Sequence, residues 1–154
     1  MGQLSSKAYF VLLARLVLSA TLLFAALPKI GDPVAFATSI EGFRLVGRQG
    51  TLWVALVLPW LELVVGMGLL IPQIRRGCGI LIALLLLLFI GLHTSAWMRG
   101  LDISCGCFGQ GEEPANYLWL ILRNVGLLIA MIAVLIHDGR NPQRRRLKED
   151  VTAS

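Results

Sequence analysis

Four apolar runs, residues 9–27, 52–71, 77–96 and 118–136, constrain this chain more than any other feature. Each is long enough for an α-helix to cross a hydrocarbon core about 30 Å thick, which takes roughly 20 residues. A backbone surrounded by lipid must satisfy its own N–H and C=O groups, so continuous apolar runs of this length are read as spanning helices. Composition agrees: 56% of the 154 residues are apolar and 15% charged, and the mean hydropathy is +0.76. A soluble surface cannot be built from that balance. The expected fold is an all-α integral membrane protein, a four-transmembrane-helix bundle forming one domain over residues 1–139, with a basic tail over 140–154. The first run follows Lys7 as a signal peptide would. Arg15 interrupts it, however, and Phe24-Ala25-Ala26 is a poor small-x-small cleavage site, so the segment is expected to stay as a helix.

Lysine and arginine set the expected orientation, because cytoplasmic flanks collect positive charge. Four crossings put both termini and the 72–76 turn on one side. That side carries Lys7, Arg75, Arg76, Arg140, Arg144, Arg145, Arg146 and Lys148, eight cations, against four (Lys29, Arg44, Arg48, Arg99) on the other; Arg15 and Arg123 lie within helices and complete the 14. Both termini are therefore expected in the cytoplasm and the chain in the plasma, or inner, membrane. The net charge of +5 comes largely from the tail. A basic run beside a helix end fixes topology more often than it binds nucleic acid, and no nucleic-acid partner is expected.

The connection over 28–50 carries its own helix signals. Asp32 can cap, Pro33 suits a first turn, Phe36, Ile40 and Phe43 share a face, and Gly47 can end the helix. A short amphipathic helix on the outer interface is expected there. Pro59 removes a backbone donor within the second run and predicts a kink. Arg99 and Gly100 suit the close of the third helix, and Pro114 the opening of the fourth.

Between those two helices lies Cys105-Gly106-Cys107. Two thiols one residue apart can close a very small disulfide ring, for which Gly106 supplies backbone freedom, and a ring this tight stores strain. Strained, exposed disulfides are the exchange-competent ones. The charge argument, made without the cysteines, puts this loop outside the cytoplasm, where disulfides persist. A static disulfide and two unconnected small residues remain open alternatives. A structural zinc site would want four ligands where the loop has two, so no metal is expected. Cys78 starts the third helix, at the other end, and is not expected to reach the pair.

Each ionisable residue inside hydrocarbon needs a partner or a function. Arg15 and Glu62 lie at similar depths in the first and second helices, beside small residues such as Ser19 and Gly66, and an interhelical Arg15–Glu62 ion pair is expected. Such a pair can be a structural clasp or a proton relay, and the clasp is the expectation. His93 and Arg123 belong to the helices that flank the cysteine loop. With Arg99 they are candidates to support a thiolate, since a nearby cation favours that form; snorkelling toward the headgroups is the plain alternative. Trp97, Tyr117 and Trp119 suit an interfacial aromatic belt.

The ordered set Arg15-Leu16, Pro28-Lys29, Leu58-Pro59-Trp60-Leu61-Glu62, Cys105-Gly106-Cys107-Phe108-Gly109 and Arg123-Asn124 resembles the MauE family of methylamine-utilisation membrane proteins, within the wider DoxX-like group. The resemblance implies a four-helix membrane protein that supports disulfide formation in extracytoplasmic partners. MauE-like proteins are linked to maturation of the disulfide-rich small subunit of methylamine dehydrogenase, alongside a thioredoxin-like protein. By that analogy Cys105 and Cys107 are the redox pair, and Arg15, Glu62, Arg123 and Asn124 form an intramembrane signature. Two alternatives stand beside thiol–disulfide exchange: a disulfide oxidase coupled to a quinone, the one cofactor considered, and a non-enzymatic membrane assembly subunit. A small-solute transporter is more distant.

Overall fold

The computed structural model describes residues 6–45, 47–101 and 116–140, with the side chains of 6–8 and 140 left aside. These residues form five helices: α1 (Ser6–Gly31), α2 (Pro33–Gly42), α3 (Arg48–Gly68), α4 (Arg75–Met98) and α5 (Tyr117–Arg140). Four are long and apolar enough to cross a membrane, over Tyr9–Gly31, Arg48–Gly68, Arg75–Met98 and Tyr117–Gly139. The chain is a multi-pass membrane protein built as a four-helix bundle.

Each spanning helix outruns its apolar stretch at one end or both. The first continues through Pro28 and Lys29 to Gly31, and the last continues through His137 and Asp138. Both extensions carry charges that turn inward. The short helix forms where the sequence predicts its start: Asp32 accepts a hydrogen bond from the Ala35 N–H at 2.9 Å, and Pro33 opens the first turn. It ends at Gly42 instead of Gly47, and Arg44 takes a positive φ of 50° in the connection to α3. Phe36 and Ala37 of α2 pack on Ala55 and Leu58 of α3. Pro59 is buried within an α3 that runs unbroken through it.

Gly100 (φ 60°) closes α4: its N–H bonds to the Trp97 carbonyl, and the Leu101 N–H reaches back to Ala96, both at 3.1 Å. This left-handed glycine cap satisfies carbonyls that the helix end leaves open. Asn116 opens α5 by accepting from the Trp119 N–H at 3.2 Å. Pro114, the expected opening residue, lies outside the described residues. The Tyr117 hydroxyl donates to the Leu101 carbonyl, so the end of α4 and the start of α5 are tied together.

Neighbouring helices close a ring in the order α1, α3, α4, α5 and back to α1. Adjacent members are antiparallel: Ser19 meets Gly66 while Lys29 meets Glu62, and Arg15 meets Asp138. Leu18, Leu22, Val65, Leu69, Ile82, Leu86, Met131 and Val134 fill the centre. Phe10, Phe24, Trp53, Trp60, Leu84 and Ile129 point outward, a surface suited to lipid.

Lipid is as apolar as leucine, so close packing and polar contacts must hold the helices together. Gly66 lets α3 approach α1, where a Cβ would lie 3.3 Å from the Leu22 Cβ, and the Ser19 hydroxyl donates to the Gly66 carbonyl at 2.7 Å. At Gly79 a Cβ would meet the Met131 methyl group of α5 at 2.8 Å, and at Gly68 it would overlap the Cys78 Sγ. Gly68→Ala should therefore destabilise the bundle by about 1–3 kcal/mol, the usual range for overpacking. Adding Cys78→Ala should recover most of the loss, because it removes the clashing sulfur; thermal unfolding in detergent tests both.

Candidate functional site: a charged cavity inside the bundle

Glu62 is 1% exposed and Lys29 2%. The Lys29 Nζ donates to both carboxylate oxygens, at 2.7 Å to Oε1 and 2.8 Å to Oε2. The same ammonium lies 5.1 Å from the ring centroid of Phe36 and 5.4 Å from that of Phe89, within range of cation–π attraction. A buried charge is tolerated only when paired and hydrogen-bonded, and here both partners are.

The expected Arg15–Glu62 pair is not the one that forms. Arg15 donates to Asp138 of α5, whose other oxygen lies 3.4 Å from the Arg75 Nε. Helical side chains lean toward the N-terminus of their own helix. Arg15 therefore reaches toward the start of α1, and Glu62, on the antiparallel α3, leans toward the end of α1, where Lys29 waits. Lys29 and Arg15 are fourteen residues apart, about 21 Å along the helix. Equal nominal depth overlooked that opposite lean.

Lys29 and Glu62 line one wall of a cavity of about 40 Å³ between α1, α3, α4 and α5, together with His93, Arg123 and Asn124. That volume has room for about one to three waters. His93 is buried, and its Nδ1 lies 2.6 Å from the Phe89 carbonyl. A carbonyl only accepts, so Nδ1 is the donor, and Nε2 carries the lone pair when the ring is neutral. The Phe43 ring stands edge-on to the imidazole at 6.1 Å, and Arg99 donates to the Phe43 carbonyl at 2.8 Å, so the chain after α2 is bound over the end of α4. Asn124 is 4% exposed. Chemically the cavity can hold water or one small polar head among an ammonium–carboxylate pair, an imidazole, a guanidinium and an amide.

The structure thus gathers Glu62, His93, Arg123 and Asn124 into one site and places Arg15 at the opposite end of α1. Cys105, Gly106 and Cys107 lie outside the described residues, in the connection between α4 and α5. Two buried, ion-paired charges, Lys29 and Asp138, are not evident as interior residues from the sequence. Lys29 reads in sequence as an outer flanking charge, yet it follows Leu18, Leu22 and Ala25 at the three-and-four spacing of one buried face. Asp138 lies beyond the fourth apolar run, which ends at residue 136, yet it continues the face of Met131 and Val134.

Glu62→Gln removes the charge that compensates Lys29, and the expected result is a loss of about 3–5 kcal/mol, seen as a reduced yield of folded protein. Normal folding with lost activity would instead assign Glu62 a proton-relay role. Double-mutant cycles locate the second pair: Arg15 should couple to Asp138 by about 0.5–3 kcal/mol and to Glu62 by near zero.

The family model described as "Methylamine utilisation protein MauE" matches residues 7–137. The chain is similar to the methylamine utilization protein MauE of Paracoccus denitrificans, with 33% identity over 127 residues, 81% of this chain and 67% of the relative. It is also similar to that of Methylorubrum extorquens, with 34% identity over 107 residues, covering 69% of this chain and 58% of the relative. For the Paracoccus versutus protein the identity is 31% over 118 residues, 76% of this chain and 63% of the relative. The chain therefore spans about 58–67% of the length of these curated relatives. No solved structure matches it. With a family match running from the start of α1 to the last turns of α5, the chain belongs to the MauE family.

Proposed function

We propose that this chain is a membrane-embedded thiol–disulfide redox protein that supports disulfide formation in extracytoplasmic partners, in a methylamine-utilisation role like the one its relatives' names state. The observation that carries the reading is Cys105-Gly106-Cys107, a strained-ring spacing in the connection between α4 and α5. Both termini are cytoplasmic in this reading, which leaves that connection on the oxidising side. The Tyr117 to Leu101 hydrogen bond supports it by holding the two ends of the connection at one place on the bundle.

In the direction that builds a partner's disulfide, a partner thiolate attacks one sulfur of the oxidised Cys105–Cys107 pair. The other sulfur leaves as a thiolate. The partner's second thiolate then resolves the mixed disulfide, so two electrons pass to the pair and the partner leaves oxidised. Arg99, Arg123 and His93, on the two helices that flank the connection, are the groups proposed to favour the thiolate form. A thioredoxin-like protein is the partner class proposed by family analogy.

Replacing both Cys105 and Cys107 by Ser should abolish maturation of the partner disulfides while the bundle still folds. Retained maturation would leave a non-enzymatic assembly subunit as the better account. Thiol trapping in intact cells with a membrane-impermeant reagent should label Cys105 and Cys107 only after reduction; labelling without prior reduction would show that the pair is not held as a disulfide.

A further inference from the structure

At the end of the bundle where α1 and α4 begin and α5 ends, Arg15 of α1 and Arg75 of α4 converge on Asp138 of α5. The carboxylate is nearly sealed, with 4% of the Asp138 side chain exposed, whereas Arg15 keeps 13% and Arg75 21%. What stays open at this place therefore belongs to the two arginines. His137, on the same turn of α5, brings its Nδ1 to 3.9 Å from the same carboxylate.

Two guanidinium charges face one carboxylate, so the cluster holds at least one positive charge in excess whatever the state of the His137 ring. Its donors are also in surplus, since each guanidinium carries five N–H groups. Among the described residues these two side chains make a single hydrogen bond, from Arg15 to Asp138, and the buried Arg15 Nε and His137 Nδ1 have no partner. Buried polar groups without partners are unfavourable, and so is excess charge beside hydrocarbon. An anion with several oxygens answers both, and the planar fork of arginine matches phosphate oxygens.

We propose that Arg15 and Arg75 bind the phosphate of an anionic phospholipid. Depth favours a lipid over free phosphate from water: Arg75 and Asp138 stand at the ends of their spanning segments, and Arg15 lies six residues inside its own, about 9 Å from the start. That is the level where headgroup phosphates meet hydrocarbon. Leu16 and Ile136, the sequence neighbours of Arg15 and His137, are exposed and offer the acyl chains an apolar surface. An anionic headgroup fits the charge excess, whereas a zwitterionic one brings its own cation. In the orientation expected from the lysine and arginine placement, this end faces the cytoplasmic leaflet, where basic pockets between helices hold anionic headgroups. Bound there, the lipid neutralises the excess charge and clamps α1 and α4 across α5. The site lies at the end of the bundle away from the α4–α5 connection and asks nothing of Cys105 and Cys107.

The test uses the full chain in a neutral detergent, titrated with phosphatidylglycerol or phosphatidylcholine, with bound lipids counted by native mass spectrometry and inorganic phosphate added as a competitor. One phosphatidylglycerol per chain should bind about tenfold more tightly than phosphatidylcholine. Arg75→Gln and Arg15→Gln should each weaken phosphatidylglycerol about tenfold, the loss of one charge-assisted hydrogen bond, and leave phosphatidylcholine unchanged. Arg48→Gln, exposed at the start of α3 and the other end of the bundle, should change neither. Melting curves establish that each variant is folded. If Arg15→Gln fails to fold, Arg75→Gln carries the comparison. Wild-type affinity for phosphatidylglycerol in folded Arg75→Gln overturns the site. Equal affinity for the two lipids overturns it as well, since the contact would then be apolar packing alone. Displacement of phosphatidylglycerol by an equal concentration of inorganic phosphate overturns the lipid as ligand and leaves a site for free phosphate.

Discussion

Lys29 and Glu62 meet inside a bundle surrounded by hydrocarbon, and the arrangement of the other helices follows from the need to enclose them. The ammonium comes from α1 and the carboxylate from α3. The aromatic faces over the ammonium come from α2 and α4, through Phe36 and Phe89, and α5 contributes Arg123 and Asn124 to the cavity beside it. Every helix of the described structure therefore supplies part of one enclosure. A charge pair left open to lipid would be unfavourable by several kcal/mol, whereas the closed ring offers each charge a partner and the ammonium two aromatic faces.

The opposite end of the bundle repeats the device with different residues. Arg15 of α1 and Arg75 of α4 converge on Asp138 of α5, so three helices are joined there by one carboxylate. Between the two polar layers runs an apolar seam of Leu18, Leu22, Ile82, Leu86, Met131 and Val134, with glycine at close crossings. Polar clasps at two levels and small-residue packing between them set the helices in register. This is the economy expected where the surrounding solvent supplies no hydrophobic drive for helix association.

The site near the α4–α5 connection combines features that serve chemistry as well as folding. The clasp shapes a small polar void, and His93, Arg123 and Asn124 project into it from the two helices whose ends carry the cysteine connection. A hydrogen bond from Tyr117 to Leu101 and the glycine cap at Gly100 fix where that connection leaves and rejoins the bundle. A polar void next to a lateral apolar groove offers one membrane protein both a water-like and a lipid-like approach to the same residues.

Four membrane-spanning helices, the capped helix beginning at Pro33 and the Gly100 terminus were legible in the sequence, because run length, capping residues and glycine act locally. The cluster of Glu62, Arg123 and Asn124 was visible as polar residues in apolar runs, which need partners wherever they occur. Which partners they take was not visible. In sequence Lys29 reads as a flanking charge and Asp138 falls outside the fourth apolar run, because α1 and α5 are longer than their apolar stretches. Pairing also depends on the lean of side chains along antiparallel helices, which sends Arg15 one way and Glu62 the other. By itself, then, the sequence determined the number and kind of elements and the residues that cannot stay unpartnered, since these follow from each residue's own solvation. Only the tertiary structure decided who pairs with whom and where a cavity opens, because both depend on the relative depth and rotation of helices distant in the chain.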